Sequence, residues 1–518
     1  MSGTTLPPLA GGTEGPSALR PLLDTVLDAL THGATTRAGP LPHGGPHTVT
    51  ARVRATGPAL PTTGTGPHEA LRTLVTTLAE GAADPADPHC AAHLHSPPLA
   101  LATAADLAAS ALNPSLDSWD QAPGASALET EVLHALAALA YPHHPAPDAV
   151  TTTGGTESNH LALLLAREEA RRGRHRRKAG GGPGGRPRGA RTATAPDGAH
   201  DPAAGITPGT TPRTTTYDSS YGTSPRPDHT LRVICGANAH HSIHRATWLL
   251  GLPAPHVLPT PTGTVDPAHL HTALHTHHGT PTLVVATAGT TDTGRIDPLP
   301  HLADLCDTHH ARLHIDASYG GTLLFSDTLR PALHGLDRAH TIALDLHKLG
   351  WQPIAAGLLA VPDTTALHPL AHQADYLNAP DDTEAGHPDL LGRSLRTTRR
   401  PDILKIAVTL RALGRTGMGR LVERVCATAH HLADLIDAHP RFELHARPTL
   451  STVLFRPTGA DDHTIATTRR RLLHHGHAVL GRATTSDGLW LKTTLLNPHT
   501  TTHHLRTLLN LVEGHITP

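Results

Sequence analysis

Lysine is nearly missing from this sequence. Lys178, Lys348, Lys405 and Lys492 are the four present in 518 residues, so chemistry that needs a neutral amine has few places to reside. Cysteine is as sparse: Cys90, Cys235, Cys306 and Cys426 are scattered without CxxC spacing. That argues against a disulfide framework or a cysteine-rich zinc site and fits a reducing compartment. An excess of one charge is also lacking. The formal net charge is -2 and the pI about 7.2, which leaves no global electrostatic case for nucleic acid or an anionic membrane. No run of eighteen apolar residues occurs, and the opening MSGTTLPPLAGGTEGP has no basic stretch followed by an apolar one. Neither a membrane span nor a secretory signal is expected, and the expected location is cytoplasmic.

Histidine, by contrast, is abundant. The 45 histidines are spread along the chain together with excess Thr, Pro, Ala and Arg, while Phe and Met are scarce. A coding bias accounts for this pattern, so pairs such as His309-His310 and His474-His475 are assigned no function, and no metal is expected.

A chain this long suggests two or three domains, or one large domain with appendages. Residues 1–88 are rich in Gly, Pro and Thr, with a helical patch near Leu19–Leu30. From His89 the pattern sharpens. An apolar helix is expected over Leu99–Leu112 and another over Ala125–Ala140, where Leu128, Val132, Leu133, Leu136 and Leu139 repeat at helical spacing. In AVTTTGGTESNHLALLLA, Val150–Thr153 reads as a strand entering two glycines, after which Thr156-Glu157-Ser158-Asn159 opens a helix. A glycine turn at a helix start offers free N–H groups and the positive dipole end to an anion such as phosphate. The spacing is neither GxGxxG nor GxxxxGK[ST], which disfavours dinucleotides and nucleoside triphosphates. Residues 171–228, with RRGRHRRKAGGGPGGRPRGAR, are basic, glycine-rich and aperiodic. They read as a flexible surface insertion, and Lys178 inside it drops out as a catalytic candidate.

Beyond the insertion, strands alternate with helices. Leu231–Cys235, Thr282–Gly289 and Ala311–Ser318 are short apolar strands, and Ile342-Ala343-Leu344 leads into His347-Lys348. This is the α/β pattern with a mainly parallel sheet, whose sites lie beyond the carboxyl ends of the strands. His240, Thr290, Asp316 and Lys348 all follow such strands directly. A lysine there can be desolvated, lose its proton and form an imine with an aldehyde. Lys405 lies at helical spacing in Ile403–Leu413 and Lys492 in the strand LWLKTTLL, so both are read as structural.

Taken in order, TGGTESN, AHHSIHRA, VVATAGTTDTGRIDP, HIDASYGG, LDLHK and SLRTTRRPDILK resemble the pyridoxal-phosphate-dependent group II amino-acid decarboxylases. The resemblance runs from about His89 to Gly419 and returns at LLNPHTTTHHLRTLL. It implies an α/β protein of fold type I, aspartate-aminotransferase-like. A large domain over 89–378 would carry a mainly parallel seven-stranded sheet. An N-terminal segment would precede it, and a mobile loop, connecting helix and small C-terminal α+β domain over 379–518 would follow. It further implies pyridoxal 5'-phosphate as cofactor, an amino-acid substrate, and a homodimer with its active site at the interface.

Position by position, the resemblance makes Lys348 the Schiff-base lysine and Asp316 the partner of the pyridine nitrogen, where a carboxylate keeps the ring an electron acceptor. His240 would stack on the ring and Thr290 lie beside it. Gly155, Thr156 and His347 would contact the phosphate. Asp345 stands near that phosphate with its role open, and Ser318 replaces a more usual Ala. Arg399 would hold the substrate carboxylate, with Arg400 as rival because Pro401 biases its neighbour toward extended backbone. Tyr376 would be the mobile-loop acid that protonates the α-carbon after CO2 loss. The segments around AHLHSPP, LDSWDQAP and ADYLN favour a branch acting on small diamino acids (2,4-diaminobutyrate, ornithine or lysine). Aromatic or glutamate decarboxylation, an aldehyde-forming outcome, and a non-catalytic homologue are the alternatives.

Overall fold

A computed structural model of the chain describes residues 6–179, 230–371, 377 and 380–516. Tyr376 and most of the 171–228 insertion lie outside the described residues. The Gly/Pro/Thr-rich opening forms three helices, α1 (Gly15–Arg37), α2 (Gly45–Ala55) and α3 (Pro67–Gly81). Each carries proline in its first turn, where the missing N–H costs no hydrogen bond. α1 packs on α3 so closely that a Cβ at Gly33 would stand 2.5 Å from that of Ala79. Next come α4 (Ala100–Leu112) and α5 (Pro123–Ala140), within two residues of the expected bounds. Leu133 and Leu136 are buried as the spacing predicts, and Leu128, Val132 and Leu139 pack partly buried against the same core.

The central unit then alternates as β1 (Asp148–Thr152), α6 (Gly155–Ala179), β2 (Arg232–Gly236), α7 (Ser242–Leu249), β3 (His256–Leu258), α8 (Pro267–Thr276), β4 (Thr282–Thr287), α9 (Leu299–Thr308), β5 (Arg312–Asp316), β6 (Thr341–Asp345) and β7 (Gly357–Val361). These strands form one seven-stranded sheet in the order β1-β7-β6-β5-β4-β2-β3. Only β7 runs against its neighbours, so the sheet is mainly parallel, the fold-type I arrangement expected. Strands β1, β4, β6 and β7 are buried along their whole length. That burial explains why they read as apolar or β-branched runs rather than alternating ones.

One boundary differs from the sequence reading. α6 does not end where the insertion was expected to begin but continues through Arg171–Ala179. Long unbranched Arg side chains favour helix, and Glu168 pairs with Arg167 and Arg171, while Glu169 pairs with Arg312 on β5.

After α10 (Pro380–Glu384), the long α11 (Ile403–Asp437) bends at Gly414. Its first part buries Ile403 and Ile406 in the core of the large sheet, and its last turns bury Leu432 and Ile436 in a second core. That second core lies under β8 (Phe442–Leu444), β9 (Thr452–Pro457), α12 (Asp462–His474), β10 (Gly481–Thr485), β11 (Gly488–Thr494) and α13 (Thr502–His515). Its four strands are antiparallel, in the order β10-β11-β9-β8.

The tightest backbone approach near the strand ends is at Gly357, where a Cβ would stand 2.4 Å from the Cα of Gly154 and 2.5 Å from its nitrogen. Gly357→Ala must push β7 from the turn after β1. We expect it to cost about 1–3 kcal/mol and to lower the thermal unfolding midpoint followed by circular dichroism. An unchanged midpoint would show that the two backbones have room to separate.

Candidate active site

Five strand ends converge on one cavity of about 410 Å³. β6 delivers Asp345, His347 and Lys348, β5 delivers Asp316 and Ser318, and β1 feeds the Gly154-Gly155 turn into α6. β4 leads to Thr287 and Gly289, and β2 to His240. All of these line the cavity. Because parallel strands end on the same side, residues spread over two hundred positions meet there.

Asp316 is buried. Burial alone would raise its pKa, but the Lys348 charge and hydrogen bonds from Ser318 and Asn159, with a smaller contribution from His314, hold it below the ordinary carboxylate value. Ser318 donates to Oδ1 through its hydroxyl at 2.6 Å and its backbone N–H at 3.1 Å, and Asn159 Nδ2 donates to Oδ2 at 2.8 Å. Asn159 Nδ2 also reaches Ser242 Oγ at 2.9 Å, and Ser242 Oγ lies 2.8 Å from His240 Nδ1. Since the Ser242 N–H also points to that Nδ1 at 3.3 Å, His240 accepts there and carries its proton on Nε2. Burial, above all, keeps the His240 ring below its ordinary pKa, with Asp316 opposing.

Behind Asp316 stands a residue that the sequence reading passed over. His314 on β5 is fully buried, with Nε2 2.9 Å from Asn159 Oδ1 and Nδ1 2.9 Å from Thr341 Oγ1. Both protons of the Asn159 amide are engaged, so its Oδ1 must accept from the Nε2–H of neutral His314, whose Nδ1 then accepts from the Thr341 hydroxyl, with the Thr341 carbonyl oxygen also 3.2 Å away. Burial pushes the His314 pKa down to about 4. A neutral imidazole thus fixes the amide that fixes the carboxylate. The alternation of ARLHIDAS offered a hint, since His314 shares the face of Asp316, but nothing local named its partners.

The start of α6 forms the opposite wall. Thr153 donates through N–H and hydroxyl to Glu157 Oε2 at 2.7 and 2.8 Å. The Gly155 N–H donates to Asp345 Oδ2 at 3.2 Å, and the remaining N–H groups of the first turn have no carbonyl one turn earlier to receive them. A Cβ at Gly155 would stand 2.2 Å from Ser318 Oγ, so only backbone fits there. Asp345 is buried and accepts also from the His347 N–H at 3.0 Å, while Lys348 Nζ lies 3.8 Å from its Oδ2. His347 Nδ1 comes within 2.7 Å of Asp345 Oδ1 but lacks hydrogen-bond alignment and makes no such bond.

The structure does not bring every expected residue to this cavity. Thr290 is buried with its hydroxyl turned into its own loop, 2.8 Å from Thr293 Oγ1 and accepting from the Arg295 N–H. Thr287 and Thr291 line the cavity instead. Arg399 is buried elsewhere, its Nη1 held by Glu129 Oε1 on α5 at 2.6 Å and by Thr151 Oγ1 at 3.0 Å. Arg400 is half-exposed on Asp106 of α4 at 2.9 Å and 3.7 Å from Asp402. Neither arginine lines the cavity. Lys405, read as structural, is buried on Asp106 and Asp402 at 3.0 and 3.2 Å. Lys492, read the same way, sits elsewhere. This β11 residue is buried with Nζ 3.3 Å from the carbonyl of Thr291, a cavity residue, and 3.1 Å from Asp292 Oδ1.

Residues 221–458 match the family model described as the pyridoxal-dependent decarboxylase conserved domain. The chain is 36% identical over 466 residues to L-2,4-diaminobutyrate decarboxylase of Rhizobium meliloti (strain 1021), covering 88% of this chain and 83% of that protein. It is 30% identical over 459 residues to L-2,4-diaminobutyrate decarboxylase of Acinetobacter baumannii, covering 86% and 83%. Among solved structures, it is similar to the glutamate decarboxylase domain of diaminobutyrate-pyruvate transaminase and L-2,4-diaminobutyrate decarboxylase from Vibrio parahaemolyticus. That likeness has a TM-score of 0.78 at 28% identity and spans 98% of this chain and 97% of that one.

The buried His314 yields a pH prediction with a definite sign. Its folded pKa of about 4 lies below the 6.5 of an unperturbed histidine, so between those values the unfolded chain binds the extra proton. Its contribution is intact above pH 6.5 and lost progressively toward pH 4, by about 3 kcal/mol in total. In His314→Gln the thermal midpoint should fall less steeply over that window than in the wild type. Parallel curves would show that His314 titrates normally.

Proposed function

Because the chain belongs to the pyridoxal-dependent decarboxylase family and is a pyridoxal-phosphate-dependent amino-acid decarboxylase, we propose that it releases CO2 from L-2,4-diaminobutyrate, with Lys348 as the residue that holds the cofactor aldehyde. One observation carries the assignment of Lys348: its amine shares a cavity with the buried, ionised Asp316 and the start of α6. The identity of 36% over most of the length to a diaminobutyrate decarboxylase supports the substrate.

The residues present fit the cofactor. α6 offers N–H groups and a positive dipole end to its phosphate at Gly155 and Thr156. Asp316 offers a carboxylate already held in its charged form, and His240 offers a neutral flat ring. When bound, pyridoxal phosphate supplies an aldehyde that takes an amine and a ring that takes up the electron pair left as CO2 departs. Asp316 keeps a proton on the ring nitrogen, and Ser318 acts by holding Asp316 rather than the ring. His347 closes the phosphate side against Gly154, where an added Cβ would lie 2.9 Å from the His347 ring. Tyr376, outside the described residues, is assigned the proton that the α-carbon receives.

The substrate carboxylate is assigned to Lys492 in place of Arg399. Arg399 is committed to Glu129 in the interior, whereas Lys492, paired with the exposed Asp292, also reaches the backbone carbonyl of Thr291, a residue of the cavity wall. A diamino acid brings two ammonium groups and one carboxylate, so a buried cation at that wall repels the first two and orients the third. Leu27, Leu30, Leu74 and Leu78 of α1 and α3 are 45–72% exposed, a surface of the kind that a second subunit covers. It supports a homodimer. All four cysteines are free, which supports a reducing, cytoplasmic setting, and among the described residues no helix is long and apolar enough to cross a membrane.

The test is CO2 release by the cofactor-loaded enzyme from diaminobutyrate, ornithine, lysine, glutamate, tyrosine and tryptophan. We expect release from diaminobutyrate, abolished in Lys348→Ala. Lys492→Met should lose about ten- to a hundredfold in kcat/KM, the worth of a charge-assisted hydrogen bond. Arg399→Met should instead destabilise the fold by about 3–5 kcal/mol by leaving Glu129 unpaired. Release from aromatic substrates alone would keep the chemistry and overturn the substrate. Silence with bound cofactor would overturn the reading.

A further inference from the structure

We propose that His475, His477 and His515 form a binding site for a divalent cation of the zinc, cobalt or nickel class, which ties the turn after α12 to the end of α13. Among the described residues they are the one group of three metal-ligating side chains whose donor atoms converge, all within 4.8 Å of one another. The abundance of histidine explains why imidazoles are available. It does not explain why three of them aim at one point.

The backbone builds that convergence. α12 ends at His474, and Gly476 takes φ +67° in the turn that follows, with its Cα so near the N-terminal loop that a Cβ would lie 2.5 Å from the Leu41 carbonyl oxygen. His475 and His477 flank this glycine, their ring centroids 5.6 Å apart. His515 comes from the last residue of α13, with its ring 5.5 Å from His475 and 5.2 Å from His477.

The orientation of His515 is set from behind. Its Nδ1 lies 2.7 Å from the Leu511 carbonyl oxygen, which can only accept, so Nδ1 carries the proton and the neutral ring presents a lone pair on Nε2. A backbone carbonyl on the far nitrogen is the arrangement that fixes tautomer and direction in metal-bound histidines. That lone pair faces His475 Nδ1 at 3.4 Å and His477 Nδ1 at 3.2 Å. One lone pair serves a single N–H well, and here two exposed rings compete for it. A cation at the centre uses the lone pairs of all three. Tetrahedral bonds of roughly 2.0–2.1 Å place neighbouring donor nitrogens about 3.3–3.4 Å apart, close to the 3.4 and 3.2 Å of these two contacts.

The donor set selects the ion. Three imidazoles without a carboxylate suit zinc and its transition-metal neighbours rather than magnesium or calcium. Glu513, two residues before His515, is engaged with Arg441 at 2.8 Å. Three protein ligands leave a fourth position to water.

The experiment is a Co²⁺ titration of the metal-stripped, cofactor-loaded full chain, read by visible ligand-field bands and equilibrium dialysis, with His515→Gln, His475→Gln and His463→Gln alongside. His463 is exposed and outside the cluster, so His463→Gln controls for the other histidines. One tight equivalent with tetrahedral bands is expected in the wild type and His463→Gln, weakened at least about tenfold in the other two variants. Zn²⁺ should displace Co²⁺ and raise the wild-type thermal midpoint. Should His515→Gln fail to fold, the solvent-exposed His475→Gln decides the matter. No tight equivalent in the wild type, or binding unchanged in the folded cluster variants, overturns the site.

Discussion

A carboxylate kept charged in the interior governs this structure. Asp316 lies at the end of a central strand with burial pressing it toward neutrality, and an ionised group there is tolerable only when paired and hydrogen-bonded. The surrounding sequence follows from that requirement. Ser318 supplies two donors, and Asn159 arrives from α6 with a third. His314, Thr341 and Ser242 exist in this network to give Asn159 one orientation. Without His314 the amide could turn over and present its oxygen to Asp316, replacing an attraction by a repulsion. The same network reaches His240 through Ser242, so the charge of Asp316 and the tautomer of His240 are set by one chain of hydrogen bonds.

Asp345 answers a second electrostatic problem. A carboxylate beside the proposed phosphate site is unfavourable unless its lone pairs are committed, and here the Gly155 and His347 N–H groups and the Lys348 ammonium all address it. It spends one N–H of the helix start and in return fixes the β6 turn that carries His347 and Lys348 against α6. The glycines on both sides are explained by this proximity: a side chain at Gly155 would enter the Ser318 hydroxyl.

Much of this was legible in the sequence because it is local. A strand, a turn and the residues just after it are contiguous, and parallel strands ending on one side bring such turns together without further information. Lys348, Asp316, His240, Gly155 and Ser318 were readable for that reason. Features that local sequence does not reveal have the opposite character. Arg399 follows a motif, but its partner Glu129 lies on a distant helix, and the ion pair takes the guanidinium out of reach of the cavity. Lys492 reads as one residue of an apolar strand, and only the packing of the second sheet places its amine at Thr291. The helical continuation of α6 through Arg171–Ala179 was hidden by composition, since an Arg-rich run is compatible with both helix and coil, and the cross-element pairing of Glu169 with Arg312 is not visible in either.

The proposed role of Lys492 would make the site a joint property of two cores. Asp316 and Lys348 are anchored in the large sheet, Lys492 in the four-stranded one, and α11 buries residues in both. The distances among Lys348, Asp316 and Lys492 therefore depend on how α11 and its Gly414 bend set the second sheet against the first. A small rotation there would leave every local motif intact while moving Lys492 away from Thr291. Mutations in the second core should accordingly change substrate binding before they change the cofactor site, because the network around Asp316 closes within the large sheet, α6 and the start of α7.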